Sequence, residues 1–93
     1  MPAAEVHYEM VHFSGHVQGV GFRYTALQVA REFEVAGYVQ NLPDGRVCIE
    51  MEGAKDEVSG FIAAIEEHMH GYVGKVERAS SLRAPRFNGF SIR

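Results

Sequence analysis

The chain has 93 residues, of which 46% are hydrophobic and 23% are charged, and its formal net charge is −3. This composition predicts one globular domain over residues 1–93 with a single modest core, and it excludes a disordered chain. Because no run of Lys or Arg offers a basic face, nucleic acid is not an expected partner.

The N-terminus and the cysteine content indicate where in the cell the protein is expected. Residues 1–5 show no basic segment followed by an apolar one, and no apolar run approaches the ~18 residues that a membrane span needs. We therefore expect no secretory signal and no membrane partner. Cys48 is the only cysteine, so no disulfide can form within the chain, and a cytoplasmic, reducing location is expected.

The first predicted strand, residues 6–14, leads into a glycine-rich loop. Apolar side chains on both faces of this strand are typical of an internal position in a sheet. The loop contains Gly15, Gly19 and Gly21, and glycine permits both a positive φ and close approach of a ligand. A loop of this kind at a helix start presents free N–H groups to an anion, typically phosphate. The alternative is a turn that only connects two elements.

Two common phosphate-binding motifs do not fit this loop. A P-loop needs Lys and then Ser or Thr after its last glycine, where this chain has Phe22 and Arg23. A dinucleotide-binding loop needs a third glycine at the position of Tyr24. Arg23 instead offers a planar guanidinium that could clamp two phosphate oxygens.

A helical pattern begins at Phe22, and Gly37 stands where a C-cap glycine would end the helix. Arg23 lies off the apolar stripe of this helix and is free to point back into the loop. The stripe, which we expect to be buried, consists of Phe22, Ala26, Val29, Ala30 and Phe33.

A hairpin is predicted next, with a strand over residues 38–42, a turn at Pro43-Asp44-Gly45, and a third strand. The third strand alternates, which predicts one buried face and one solvated face. The buried face carries Val47, Ile49 and Met51, and the wetter face carries Arg46, Cys48, Glu50 and Glu52. We expect Cys48 on the wetter face to be an inert thiol, because no basic partner is fixed beside it.

A second helix over residues 55–68 and strands over residues 76–82 and 87–92 complete the chain. The second helix has its own apolar stripe, formed by Val58, Phe61, Ile62, Ile65 and Met69. The order β-α-β-β-α-β predicts a ferredoxin-like α+β fold, with an antiparallel sheet and two helices on one face. Asn41, at the end of the second strand, could then approach the glycine loop. The alternative role for Asn41 is to cap the adjacent turn.

Two strings of the sequence resemble the acylphosphatase family. Residues 15–23 match its motif G-x-V-Q-G-V-x-F-R, and residues 37–47 match G-x-V-x-N-x-x-D-G-x-V, in the expected order and spacing. The resemblance covers nearly the whole chain. It implies a ferredoxin-like fold, hydrolysis of carboxyl–phosphate anhydrides, and Arg23 and Asn41 as catalytic residues. The loop backbone that would hold the substrate phosphate consists of His16, Val17, Gln18, Gly19, Val20, Gly21 and Phe22.

The residue types at this site suit an acyl phosphate. One cation, one amide and backbone N–H groups provide neither a general acid nor a nucleophile. An acyl phosphate needs neither, because its leaving group is a carboxylate whose conjugate acid has a pKa of ~4. We expect Arg23 and the loop to bind the phosphoryl oxygens and Asn41 to orient the attacking water. Inorganic phosphate or sulfate should bind in the same place.

No metal or other cofactor is expected. His68 and His70 come closest to a metal-binding pair, but residues two apart do not share a helix face, so we interpret them as surface histidines. Two other functions remain open. One is a ferredoxin-like regulatory module that binds an anion or small molecule without turning it over, and the other is an acylphosphatase-like domain of a larger maturation enzyme.

Overall fold

The computed structural model describes residues 5–93 of the chain. Most of the N-terminal stretch interpreted above, residues 1–4, lies outside the described residues. The elements follow the order β1 (Val6–Gly15), α1 (Phe22–Ala30), β2 (Val35–Asn41), β3 (Val47–Gly53), α2 (Lys55–His68), β4 (Val73–Arg83) and β5 (Phe90–Ile92). In this part of the chain, neither helix is long and apolar enough to cross a membrane.

The strands form one sheet in the order β4-β1-β3-β2-β5. β1 pairs antiparallel with β3 and β4, and β2 pairs antiparallel with β3, so β1 is internal as predicted. β5 pairs parallel with β2, which makes the sheet mixed where a fully antiparallel one was expected. The ferredoxin-like α+β fold is confirmed. Because β1, β2 and β5 run in the same direction, the C-terminal ends of all three strands lie at the same end of the sheet.

The core lies between one face of the sheet and the two helices. The predicted stripes are buried on both helices, with the exception of Phe33, which follows α1 and is partly buried. From the sheet, Phe13, Ile49 and Met51 are at most 1% exposed. Burial of each such side chain contributes about 1.5–3 kcal/mol. The ring centroids of Phe61 on α2 and Phe90 on β5 lie 5.3 Å apart, so the last strand also contributes to this core.

The prediction that Gly37 ends the first helix is wrong. α1 stops at Ala30, its cap residue Arg31 keeps a helical φ of −69°, and Gly37 is the third residue of β2. A Cβ at Gly37 would collide with the carbonyl group of Glu50 on β3. Its N–H donates to the Gly89 carbonyl at 2.9 Å. The glycine is therefore required by close approach of neighbouring backbones and not by helix termination.

The prediction that the second face of β3 is solvated is also wrong. Cys48 and Glu52 are each only 4% exposed. Residues 84–89 connect β4 to the opposite edge of the sheet, and the Glu52 carboxylate accepts N–H groups from Arg86 at 3.0 Å and Phe87 at 3.2 Å. These contacts also explain why the last strand begins at Phe90 and not at residue 87. Burial raises the pKa of the Cys48 thiol, which disfavours its reactive thiolate form.

Glu9 is a buried acid on β1, with 3% of its surface exposed. It lies opposite Met51 in the sheet and accepts hydrogen bonds from Arg78 and from His7, the latter at 2.8 Å. Burial alone would raise the pKa of Glu9. The hydrogen bonds from Arg78 and His7 together outweigh burial, so the pKa lies below the ordinary value of 4.5.

Replacing Glu9 by Gln should lower the free energy of unfolding by about 1.5–3 kcal/mol at neutral pH, because hydrogen bonds to charged groups are lost. Since the folded-state pKa is depressed, this stabilisation is complete above the ordinary value of 4.5 and is lost as the pH falls through the folded pKa. Urea unfolding at several pH values should show that the difference in free energy of unfolding between wild type and Glu9→Gln becomes smaller in acid.

A matched control is Glu77→Gln, which removes only an exposed pair with Lys75 at 4.0 Å. This variant should match wild type at every pH. If the difference in free energy of unfolding between wild type and Glu9→Gln stays constant with pH, the Glu9 carboxylate is not held ionised by its partners.

Candidate active site

The loop between β1 and α1 depends on two glycines in the left-handed region. Gly19 has a φ of 78°, and Gly21, the N-cap residue of α1, has a φ of 79°. A Cβ at either position would meet no atom within 4 Å. Glycine is thus required here by backbone conformation and not by crowding. The space in front of both residues is open to a ligand.

The backbone N–H groups of this loop are available to an anion. Within residues 5–93, no N–H from Val17 to Phe22 donates to a protein acceptor, and α1 begins with no side-chain cap and no acid in its first turn. The positive end of the helix dipole is therefore uncompensated at the loop. His16 differs, because its N–H already donates to the Tyr72 carbonyl at 2.9 Å. The His16 N–H is therefore occupied, unlike the N–H groups of the other predicted loop residues.

Arg23 is the second residue of α1 and is exposed. It lies beside the buried stripe that anchors the helix, so its side chain is not used in packing. Among the described residues, no carboxylate lies within ion-pair distance of its guanidinium. The guanidinium therefore keeps its hydrogen-bond donors for a ligand.

Asn41 is the last residue of β2 and is partly buried. Its side chain makes no hydrogen bond to any residue of the described chain, whereas the following turn is closed by other groups. Asp44 accepts the Arg46 N–H at 3.1 Å, and the Arg46 carbonyl accepts the Leu42 N–H at 2.8 Å. The turn does not use Asn41 as a cap, and its amide is left to face a ligand.

A single cavity of about 290 Å³ brings Arg23 and Asn41 together. Arg23 is the one charged residue among those that line it. The lining consists of Val17, Gly19, Gly21, Phe22, Arg23, Tyr24, Asn41 and Ile92. Of the predicted loop residues, His16, Gln18 and Val20 do not line the cavity. No group of three or more His, Cys, Asp or Glu side chains in residues 5–93 is placed to hold a metal ion.

Gln18 has a role that the sequence did not reveal. Its side-chain Nε2 donates to the carbonyls of Leu42 at 2.8 Å and Arg46 at 3.0 Å. The glycine loop is thus fastened to the turn that follows Asn41. The only hint in the sequence was its place in the first motif, which did not distinguish a side-chain role from a backbone role.

Tyr24 and Ile92 were also missed as lining residues. Tyr24 follows Arg23 directly, and its exposed ring could have been suspected from that position. Ile92 arrives through the parallel pairing of β5 with β2, which places it opposite Val39. That pairing joins residues far apart in the chain, and no local pattern indicates it.

Fold and cavity together define a ferredoxin-like domain with a cavity at its glycine loop. Residues 9–92 match the family model described as Acylphosphatase, and the chain belongs to that family. An acylphosphatase from Archaeoglobus fulgidus is 50% identical over 56 residues, which cover 60% of this chain and 63% of that relative. An acylphosphatase from Leuconostoc mesenteroides is 35% identical over 81 residues, covering 85% of this chain and 89% of that relative.

The fold also matches a solved member of the family. The crystal structure of acylphosphatase from Bacillus subtilis aligns with a TM-score of 0.86 and 32% sequence identity. The alignment covers 94% of this chain and 98% of the other. The correspondence therefore extends over the whole ferredoxin-like domain.

The different hydrogen bonding of Gln18 and Asn41 predicts different effects on stability. Gln18→Ala should lower the free energy of unfolding by about 1–2 kcal/mol, because two hydrogen bonds to backbone carbonyls are lost. Asn41→Ala should change it by less than about 0.5 kcal/mol, because no hydrogen bond between the amide and residues 5–93 is lost. Urea unfolding of the two variants measures both values. If Asn41→Ala lowers the free energy of unfolding as much as Gln18→Ala does, Asn41 caps the turn after all.

Proposed function

We propose that this protein is an acylphosphatase, which hydrolyses the carboxyl–phosphate bond of acyl phosphates to a carboxylate and inorganic phosphate. The observation that carries the proposal is the convergence of Arg23, Asn41 and unpaired loop N–H groups on one cavity. Membership of the acylphosphatase family supports it independently.

Binding of the phosphoryl group falls to Arg23 and the loop backbone from Val17 to Phe22. The guanidinium donates to two phosphoryl oxygens, and the loop N–H groups hold the others at the positive end of α1. No carboxylate competes for the anion, because the cavity lining contains none. Inorganic phosphate, the product, and sulfate should bind in the same cradle.

Asn41 orients the water that attacks phosphorus. Its amide oxygen accepts a hydrogen from the water, which directs an oxygen lone pair at the phosphorus atom. As the new phosphorus–oxygen bond forms, the bond to the carboxylate oxygen breaks and the electron pair leaves with the carboxylate. The proton released by the water passes to a phosphoryl oxygen of the substrate. No general base from the protein is required in this scheme.

The leaving group explains why so few side chains can suffice. A carboxylate departs without being protonated, because its conjugate acid has a pKa of ~4. The protein must therefore supply position and charge stabilisation, which is what phosphoryl transfer mainly demands. The lining residues match this demand, since they include no acid, thiol or imidazole.

The direct test is release of inorganic phosphate from acetyl phosphate by the purified protein, assayed with and without a metal chelator. Wild type should turn over in both conditions, and inorganic phosphate should inhibit competitively. Arg23→Lys and Arg23→Ala should both lose at least about 10³-fold in kcat, because lysine keeps the charge but not the planar fork. A wild-type protein that binds phosphate without hydrolysing acetyl phosphate would be a regulatory module instead.

Arg31→Ala is the matched control for the Arg23 variants. Arg31 ends the same helix and is exposed, and within residues 5–93 its guanidinium bonds only to the Gln28 side chain, at 3.3 Å. This variant should keep wild-type turnover, and thermal melting should show all variants folded. If Arg23→Ala keeps its activity within a few-fold of wild type, the reaction takes place at a different site.

The division of roles predicts a specific kinetic pattern for Asn41→Ala. Its kcat should fall by on the order of 10²–10³, the loss typical of deleting one hydrogen-bonding group that acts in the transition state. Its affinity for inorganic phosphate should stay close to wild type, because Arg23 and the loop remain. Phosphate inhibition constants and kcat measured on this variant check both statements. A normal kcat would leave the attacking water without an orienting group and contradict the mechanism.

A further inference from the structure

β4 lies at one edge of the sheet, and β5 lies at the other. Among residues 5–93, β4 pairs only with β1. The strand is 11 residues long, and each residue from Glu77 to Leu82 is exposed. Its outer backbone groups are therefore open to hydrogen bonding with a further strand.

The part of β4 that follows Arg78 has little of the protection that edge strands usually carry. Residues 79–82 are Ala-Ser-Ser-Leu, without a charge or a proline. The register with β1 is regular along residues 75–83, so no bulge turns this stretch away. The guanidinium of Arg78 is engaged within the chain, because it bonds the Glu9 carboxylate. This stretch can therefore accept another strand.

Leu82 is a large apolar side chain on this open edge, with 65% of its surface exposed. Tyr24 and Ile92, which are also exposed, line the cavity described above. A leucine exposed singly is common on protein surfaces, so its position decides what it means. Leu82 lies where an added strand would cover it.

A second cavity, of about 620 Å³, lies at the start of β4 beside the end of α2. Its apolar lining includes Ala63, Val73 and Val76. Val76 lies opposite Phe13 of β1, and Leu82 lies opposite His7, an even number of residues away along each strand. Val76 and Leu82 therefore share one face of the sheet, the face on which Phe13 enters the core.

We propose that β4 pairs antiparallel with β4 of a second copy of this chain, about a two-fold axis at Ala79, so that Leu82 of each copy packs on Val76 at the second cavity of the other. The contact uses the same surface of both copies and therefore closes as a dimer. A two-fold axis perpendicular to the sheet joins the two sheets into one and keeps all the helices on one face.

Charge argues against the neighbouring registers. Residues that face each other across this two-fold axis must lie on the same face, so the axis passes through a residue. An axis at Glu77 or Arg78 sets that residue opposite its own copy, and like charges directly opposite each other are destabilising. An axis at Ser80 sets Leu82 opposite the charged Arg78.

An axis at Ala79 matches the side chains better. A small residue then lies at the axis, where the two copies approach most closely. The pairs that face each other are Leu82 with Val76, Glu77 with Ser81, and Arg78 with Ser80. The first pair is apolar, and in the other two a serine hydroxyl faces a charged group with which it can form a hydrogen bond.

One like-charged pair results from this register, namely Lys75 opposite Arg83. Each of the two has a partner within its own copy. Lys75 Nζ lies 4.0 Å from the Glu77 carboxylate, and the Arg83 guanidinium carbon lies 3.6 Å from the centroid of the Tyr8 ring. Residues 75–83 supply far fewer than the about 20 residues a side of a standard interface, so the dimer is expected to be weak.

The first experiment is sedimentation velocity of the full chain over concentrations from micromolar to millimolar. Wild type should show a reversible equilibrium between monomer and dimer. Leu82→Asp should weaken dimerisation at least about 10-fold, because both symmetry-related contacts are lost and a charge is placed in each. The matched control is Tyr24→Asp, because Tyr24 is 64% exposed but lies outside β4. This control should dimerise like wild type.

The second experiment tests the register with Ala79→Cys. Directly opposed strand residues have Cα atoms about 4.5–5.5 Å apart, which a disulfide can span. With oxidised glutathione, two introduced thiols lose two electrons and two protons and join, and the glutathione disulfide is reduced to two thiols. Ser81→Cys is the matched control, because Ser81 is exposed on the same face of β4. Its two copies would lie about 14 Å apart, at about 3.4 Å per residue, so it should not cross-link.

Several results would overturn the proposal. These are a wild type that stays monomeric up to millimolar concentration, species larger than a dimer, a dimer that Leu82→Asp does not weaken, and cross-linking of Ser81→Cys as fast as Ala79→Cys. Hydrolysis of acetyl phosphate is tested separately, because no residue that lines the cavity of Arg23 and Asn41 lies in β4 or at the second cavity. Leu82→Asp should therefore keep wild-type kcat. A monomeric protein that hydrolyses acetyl phosphate would leave the acylphosphatase function standing without the dimer.

Discussion

The hydrogen bonds from Gln18 to the Leu42 and Arg46 carbonyls join the two halves of the site. One half is the glycine loop with Arg23 after β1, and the other is Asn41 at the end of β2. β3 lies between these two strands in the sheet, so their ends do not pair with each other directly, and both pair with Val47 of β3 instead. A primary amide suits this link because it carries two N–H groups, one for each carbonyl. If either half were misplaced by about 1 Å, the rate of a reaction that depends on alignment would fall.

Three acids of the sheet, Glu9, Glu50 and Glu52, are engaged by partners away from the cavity that holds Arg23. Glu9 is held by Arg78 and His7, and Glu52 accepts backbone N–H groups from the segment that crosses the sheet. Glu50 accepts the hydroxyl of Tyr8 at 2.6 Å and also that of Tyr38. Burial, together with the Glu50 carboxylate, raises the pKa of Tyr8 to about 12, which keeps the hydroxyl a donor at neutral pH. Within residues 5–93, Arg23 has no carboxylate within ion-pair distance.

Local patterns predicted the parts of the fold that local chemistry controls. The buried stripes of both helices and the internal position of β1 followed from side-chain periodicity, and the two motif strings named Arg23 and Asn41. Long-range contacts decided the rest. Gly37 serves the approach of β2 to β3, Glu52 is bound by a segment some 35 residues further on, and Ile92 reaches the cavity by pairing with β2. A short sequence window contains only one partner of such a contact, so periodicity cannot reveal it.

Strand direction explains how so small a domain can assemble a cavity with distinct polar and apolar sides. β1, β2 and β5 point the same way, so the glycine loop, Asn41 and Ile92 meet at one edge of the sheet. The first two bring polar groups to the cavity, and the third brings an aliphatic side chain. A fully antiparallel addition beside β2 would have run the other way and carried the end of the chain to the opposite edge. The parallel β5 is therefore the feature that brings an aliphatic side chain, Ile92, into the lining of the cavity that holds Arg23 and Asn41.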